Sequence, residues 1–139
     1  MTDQSISLDK PLPDPDGPSR VYIEHCQRHE LWLQRCLSCG AIQFGVRTVC
    51  ADCLSREIEG FKSSGRGKVH TFSVVRRAPT EAWRADCPYV IAIVELDEGP
   101  RMMAQVKRCD PDQVKCEMDV RVFFEDVAVG ISLPQFEPA

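Results

Sequence analysis

The residue types able to do chemistry are concentrated in one stretch. Cys36-Leu37-Ser38-Cys39-Gly40 is answered, across ten intervening residues, by Cys50-Ala51-Asp52-Cys53. A gap of two residues lets both sulfurs of a tight turn face one ion, and two such turns make a closed tetrahedral set of four thiolates. That spacing is a zinc-ribbon signature and outweighs the competing readings, disulfides or four unrelated thiols. Four protein sulfurs leave no coordination position for water or substrate, so Zn2+ held by Cys36, Cys39, Cys50 and Cys53 is expected to fold the ribbon and not to catalyse. Gly40 suits a knuckle that asks for a positive φ, whereas Leu54 stands at the same place in the second knuckle. The thiolates would leave the site a net anion, which Arg35 or Arg47 is placed in sequence to offset.

Other reactive side chains form no local set. His25 and His29 are four apart, a spacing that can share a metal on a helix, but no carboxylate is placed to complete the site. Cys26, Cys87, Cys109 and Cys116 lie outside the ribbon. A nucleophilic thiolate needs an imidazole in reach. His25 adjoins Cys26, but neighbours on a helix point apart, and His70 is far in sequence from each free cysteine. No catalytic residue is expected in this chain.

The elements that must position the cysteines are short. Of 139 residues, 43% are hydrophobic and 27% charged, the composition of a globular chain. The formal net charge of −4 argues against general affinity for nucleic-acid phosphates. The longest apolar run, Tyr89-Val90-Ile91-Ala92-Ile93-Val94, is strand length and too short for a bilayer. No secretion signal is read at the N-terminus, so eight cysteines, four of them in the ribbon, fit a reducing cytoplasm.

Residues 1–18, with Pro11, Pro13, Pro15 and Pro18, read as an extended or disordered arm. Residues 19–61 read as a helix plus the zinc ribbon. Ser19 would cap a helix reaching about His29, with Val21, Tyr22 and Cys26 towards one face. Short strands are expected over Leu31–Arg35, Ala41–Arg47 and Ser55–Lys62, with too few apolar residues for an independent core. Residues 62–139 read as a second domain. Gly65-Arg66-Gly67 is followed by no helix pattern, so it suggests a bulge or sharp bend and not a phosphate loop. Strands follow over Lys68–Arg77, Tyr89–Leu96, Arg101–Lys107, Val120–Asp126 and Ile131–Phe136, with a loop from Ala78 to Pro88. Short strands without a βαβ rhythm predict a small antiparallel barrel, and the OB fold is the commonest at this size. The fold expected is therefore mainly β: a helix and zinc ribbon followed by an OB-fold barrel.

The order of these blocks resembles a known family. The residues that carry the likeness are Leu31-Trp32-Leu33-Gln34-Arg35-Cys36 with both knuckles, Ser64-Gly65-Arg66-Gly67-Lys68-Val69, Arg76-Arg77-Ala78-Pro79, the block Pro88–Pro100 and Leu133-Pro134-Gln135-Phe136-Glu137-Pro138. The family, long labelled a domain of unknown function, joins a rubredoxin-like zinc ribbon to an OB fold. Its members resemble accessory subunits of thiolases and thiolase-like retro-aldolases acting on acyl-CoA. This chain departs from it at Glu117, where the family often has glycine, at Asp119 for a proline, and at Gly45 and Val46 for prolines of the ribbon.

The resemblance implies a non-catalytic partner of a thiolase-like catalytic subunit, in a two-plus-two heterotetramer, docked beside the CoA channel. CoA carries phosphates that favour arginine forks and an adenine that stacks on planar groups. Arg76, Arg77 and Arg84 with Trp83 between them are the best local cluster for such contacts, and Arg47 is a further candidate. A single-stranded nucleic-acid role is the other reading, since OB folds and zinc ribbons both serve it elsewhere. Phe72, Tyr89, Phe123 and Phe124 would stack bases, but the acidic balance opposes it.

Overall fold

A computed structural model describes residues 10–14 and 16–139 of the chain. Most of the arm expected over 1–18, residues 1–9 and 15, therefore lies outside the described residues. Lys10, Pro11 and Leu12 run beside Trp83 and Leu133, and Lys10 Nζ stands 4.6 Å from the centre of the Trp83 ring.

Helix α1 (Arg20–Gln27) is shorter than its sequence pattern suggests. The Ser19 side chain makes no capping bond; its carbonyl instead accepts from the Ile23 N–H at 3.0 Å. The buried face is also rotated from the expected one, with Ile23 and Cys26 inside and Val21 exposed. The helix ends where His29 turns to φ 58°, its N–H returning to the Cys26 carbonyl.

The ribbon sheet has the order β2-β1-β3, with β1 (Trp32–Cys36) between β2 (Ile42–Phe44) and β3 (Ile58–Lys62). Both pairings are antiparallel, and Leu33 on β1 faces Phe44 on one side and Phe61 on the other. This register puts the end of β1 and the start of β3 beside the knuckles, so the strands aim the sulfurs.

The remaining strands are β4 (Arg66–Val75), β5 (Tyr89–Leu96), β6 (Arg101–Val106), β7 (Asp119–Ala128) and β8 (Ile131–Pro138). They close a barrel in the order β4-β5-β6-β8-β7, with a parallel pairing between β6 and β8 and antiparallel pairing elsewhere. This is the five-stranded OB arrangement that the sequence pattern predicts. Along β5 the residues Val90, Ala92, Val94 and Leu96 are buried at every second position, as a strand with one face on the core requires. They join Val69, Met102, Val106, Val120 and Phe136 in one core. Leu31 and Leu33 belong to that same cluster, so the root of the ribbon is packed into the barrel.

Two local expectations are corrected. The bulge falls between Val69 and Thr71, leaving His70 out of register, and not at Gly65–Gly67. Those glycines answer crowding: Gly65 takes φ 75° against Val122, and a Cβ on Gly67 would lie 2.5 Å from the Glu95 carbonyl oxygen. The loop from Ala78 to Pro88 contains a 3-10 helix, Glu81–Asp86, which carries Trp83 and Arg84. Glu117 takes the left-handed backbone, at φ 68°, that favours glycine. Gly45 has φ 92°, which a proline ring forbids, so the turn ahead of the second knuckle has no room for proline at this place.

The junction of ribbon and barrel is polar. Glu98, in the turn after β5, accepts from the Ser63 hydroxyl at 2.9 Å and the Ser64 N–H at 2.7 Å. Ser63 is itself buried and accepts from the Gly65 N–H at 3.0 Å. The hairpin turn thus fixes the segment through which the ribbon enters the barrel. Among the described residues no helix is long and apolar enough to cross a membrane.

Candidate metal centre and adjoining cavities

The four cysteine sulfurs lie within 4.8 Å of one another. Cys36 and Cys53 Sγ are 3.5 Å apart and Cys39 and Cys50 Sγ 3.6 Å, close to the roughly 3.8 Å edge of a tetrahedron with Zn–S bonds of about 2.3 Å. The donor set itself asks for a cation. The Cys39 N–H donates to Cys36 Sγ and helps draw that thiol down to about 6. At Cys39 the Ala41 N–H works to lower the thiol, yet the contact with the Cys50 sulfur and burial push it up to about 12. One thiol of the set therefore ionises readily and its crowded neighbour resists. A divalent ion among them removes that conflict. The residues fit Zn2+.

Each knuckle closes with the same backbone turn. The Gly40 N–H reaches the Cys36 carbonyl at 2.9 Å with φ 78°, and the Leu54 N–H reaches the Cys50 carbonyl at 3.0 Å with φ 63°. Leu54 thus adopts the conformation that Gly40 occupies without strain. The Ser38 and Ser55 hydroxyls, 2.8 Å apart, join the two knuckles.

The sequence reading overlooked two supporting glutamines. Gln34 and Gln43 face each other across β1 and β2, and Gln43 Nε2 donates to Gln34 Oε1 at 3.0 Å. Gln34 Oε1 also accepts from the Arg47 N–H, and Gln43 Oε1 from the Ala51 N–H, both at 3.0 Å. Together they hold the loop leading into the second knuckle. The signal available was a pair of amides on adjacent strands flanking the first Cys-x-x-Cys.

Arg35 does not offset the sulfurs. Its guanidinium lies 4.4 Å from the centre of the Phe61 ring and 3.6 Å from Glu59 Oε1. Arg47 is held through its backbone. The two helix-end histidines are also separately engaged. His25 stacks on Trp32 with ring centres 3.6 Å apart, and His29 stacks on Phe124 with Nε2 3.1 Å from Asp126 Oδ1. Among the described residues the four cysteines are the metal-capable cluster. Burial pushes the Cys26 thiol up to about 11, the wrong direction for a nucleophile at neutral pH.

The residues singled out for CoA fall in three places. Arg76, Arg77 and Arg84 line one cavity of about 590 Å³, together with Pro79, Glu81 and Cys87. Arg84 pairs with Glu81, and Arg76 lies 3.4 Å from Asp112. Arg77 is exposed and has no ion-pair partner among the described residues. Trp83 belongs to an adjoining apolar groove of about 470 Å³ with Tyr22, Phe44, Tyr89, Met102 and Met103, and Pro79 borders both. Arg47 lines neither.

Residues 24–59 match the model of the ChsH2 rubredoxin-like zinc ribbon domain, and residues 62–125 that of the ChsH2 C-terminal OB-fold domain. A DUF35 domain-containing scaffold protein of Methanothermobacter thermautotrophicus is 39% identical over 102 residues, 73% of this chain and 76% of that protein. The benzoylsuccinyl-CoA thiolase subunit BbsA of Geobacter metallireducens is 33% identical over 88 residues, 63% of this chain and 57% of its relative. Among solved structures, one described as an Ltp2-ChsH2(DUF35) aldolase superposes with TM-score 0.80 at 27% identity, over 91% of this chain and 98% of the other.

Proposed function

The chain belongs to the DUF35 family, the union of a ChsH2-type zinc ribbon with an OB fold, and from that premise we propose that it is an accessory subunit of a thiolase-like enzyme cleaving a 3-oxoacyl-CoA by thiolysis. The observation that carries the reading is the closed set of four sulfurs, which leaves a bound zinc no position for substrate. When bound, zinc would supply structure to the knuckles. The chemistry would belong to a partner chain bearing the reactive cysteine and its histidines.

In this reading the chain docks beside the partner's CoA channel and completes its wall. The arginine-lined cavity supports that role. Arg76, Arg77 and Arg84 can fork onto diphosphate and 3′-phosphate oxygens, and Trp83 offers a planar face to adenine. Arg47, exposed on the ribbon, is the further contact in this scheme. A two-plus-two heterotetramer follows if the catalytic subunit is a two-fold dimer. The thiol-rich ribbon suits a reducing cytoplasm.

A retro-aldol complex is the second reading, favoured by the likeness to the chain of the aldolase structure. Benzoylsuccinyl-CoA is one acyl-CoA that the relationship to BbsA suggests. Single-stranded nucleic acid remains the outside reading, and salt-sensitive retention on such a strand would revive it. The test is co-expression of the tagged chain with its thiolase-like subunit, followed by CoA-ester cleavage assays on each alone and together. The two together should be active and show whether free CoA is required, which separates thiolysis from retro-aldol cleavage. An isolated chain that cleaves the ester unaided would overturn the proposal. Arg76→Ala and Arg77→Ala should each raise the complex's KM for the CoA substrate about tenfold; unchanged kinetics would remove them from the site.

A further inference from the structure

We infer that the tip of the zinc ribbon, where Leu37 and Leu54 flank the four-sulfur centre, is a knob that seats in an apolar recess of the catalytic subunit rimmed by lysine or arginine. The inference rests on the accessory-subunit reading and names the surface that reading leaves open.

Cys36 and Cys53 have their sulfurs 3.5 Å apart, and Leu37 and Leu54 are the residues that directly follow them. Both leucines are exposed, at 59% and 72% of their surface. Single exposed leucines are ordinary, but Leu54 is not ordinary in its backbone. It is held at φ 63°, where a leucine is strained and a glycine would not be. Gly40 shows the unstrained solution at the matching place in the other knuckle. The knuckle's own turn fixes that backbone, since the Leu54 N–H closes it on the Cys50 carbonyl, but the turn asks for no leucine, and the side chain it carries faces solvent and gains no packing within this chain.

The tip is also preorganised. The Leu37 N–H donates to the Glu57 carbonyl at 2.8 Å, the Leu54 N–H to the Cys50 carbonyl at 3.0 Å, and the Ser38 and Ser55 hydroxyls bridge the knuckles. Little conformational freedom remains to be lost on docking.

Charge selects the occupant. Four thiolates around zinc form an anion, and the Cys39 and Cys53 residues are exposed. Exposed Asp52 and Glu57 are matched by exposed Arg56 and Arg47, and Arg35 is engaged by Glu59 and Phe61, so the net negative charge of the tip is that of the zinc-thiolate cluster. An apolar pair set in an anionic collar matches an apolar recess with a basic rim. The arginine-lined cavity has the opposite sign, so it does not fit the same basic-rimmed recess.

The test measures affinity between the full zinc-loaded chain and its thiolase-like subunit for wild type, Leu37→Ser and Leu54→Gly. Each substitution should weaken binding about tenfold, with one zinc retained per chain in a metallochromic dye assay. Leu54→Gly should also leave the melting temperature equal or higher, because the backbone strain is relieved. Wild-type affinity should fall as salt rises. Both variants binding within about twofold of wild type would overturn the docking surface, and an affinity indifferent to salt would overturn its basic rim. A wild-type chain that holds no thiolase-like subunit would instead overturn the reading on which the inference rests.

Discussion

Between Trp32 and Lys62 the ribbon buries Leu33, Cys36 and Cys50, two of them members of the four-cysteine cluster. The barrel buries Val69, Val90, Val94, Leu96, Met102, Val106, Val120 and Phe136, a core of side chains with no metal-capable cluster among them. One region has at its tip a four-sulfur cluster that fits an ion. The other is held along its length by apolar area in a barrel that closes between β6 and β8 at one pair, Val106 and Phe136. The two regions should therefore respond to different insults.

Metal removal should separate them most sharply. Structural zinc contributes on the order of 10 kcal/mol to small zinc domains, so a chelator, or Cys36→Ser, should abolish amide protection at the knuckles and in β2 and β3. Protection in β5 should persist, as read by hydrogen exchange. If β5 loses protection together with the ribbon, the two regions are one cooperative unit and the contrast fails.

The converse perturbation is Phe136→Ala. Phe136 is fully buried and pairs with Val106 and Val122 where β8 joins β6 and β7. Its truncation should cost about 3–5 kcal/mol in denaturant unfolding of the barrel while zinc affinity stays unchanged.

Acid offers the finest discrimination. The Arg108 and Arg121 guanidiniums, each 3.0 Å from Glu137, hold its carboxyl below its ordinary value of 4.5, Arg108 contributing more and partial desolvation opposing them. A depressed carboxylate stabilises the fold above its unfolded pKa, and that contribution is lost as pH falls from about 4.5 through the folded value. Glu137→Gln should therefore lower barrel stability near neutrality and flatten its acid slope. Zinc release from the ribbon on acidification should follow the same course in both proteins.

How much of this was legible in the chain follows the same division. The cysteine spacing named the metal centre because ligand geometry is local, and the family blocks fixed the barrel that follows it. Strand positions followed from β-branched runs and turn residues. What escaped depended on contacts distant in sequence. Ser19 looks like a cap, but its side chain is not used, and Val21 lies outside because the face of α1 is chosen by β8 and β1. The bulge at His70 arises from pairing with β5, not from the glycines that seemed to advertise it. The arginines near residue 76 are adjacent in sequence, yet their company with Arg84 and Cys87 depends on a short 3-10 helix that propensity did not reveal. Gln34 and Gln43 were invisible as a pair until the register of β1 and β2 set them opposite one another.

Leu31 and Leu33 carry a consequence for anyone cutting this chain apart. Both are buried among barrel side chains while sitting upstream of the first metal ligand. A fragment starting near residue 62 would be an uncorked vessel, missing two leucines from its interior, and it should be sticky and easily unfolded. Swapping ribbons between relatives would meet the same obstacle unless the graft began ahead of Leu31. Stopper and bottle have to be inherited together.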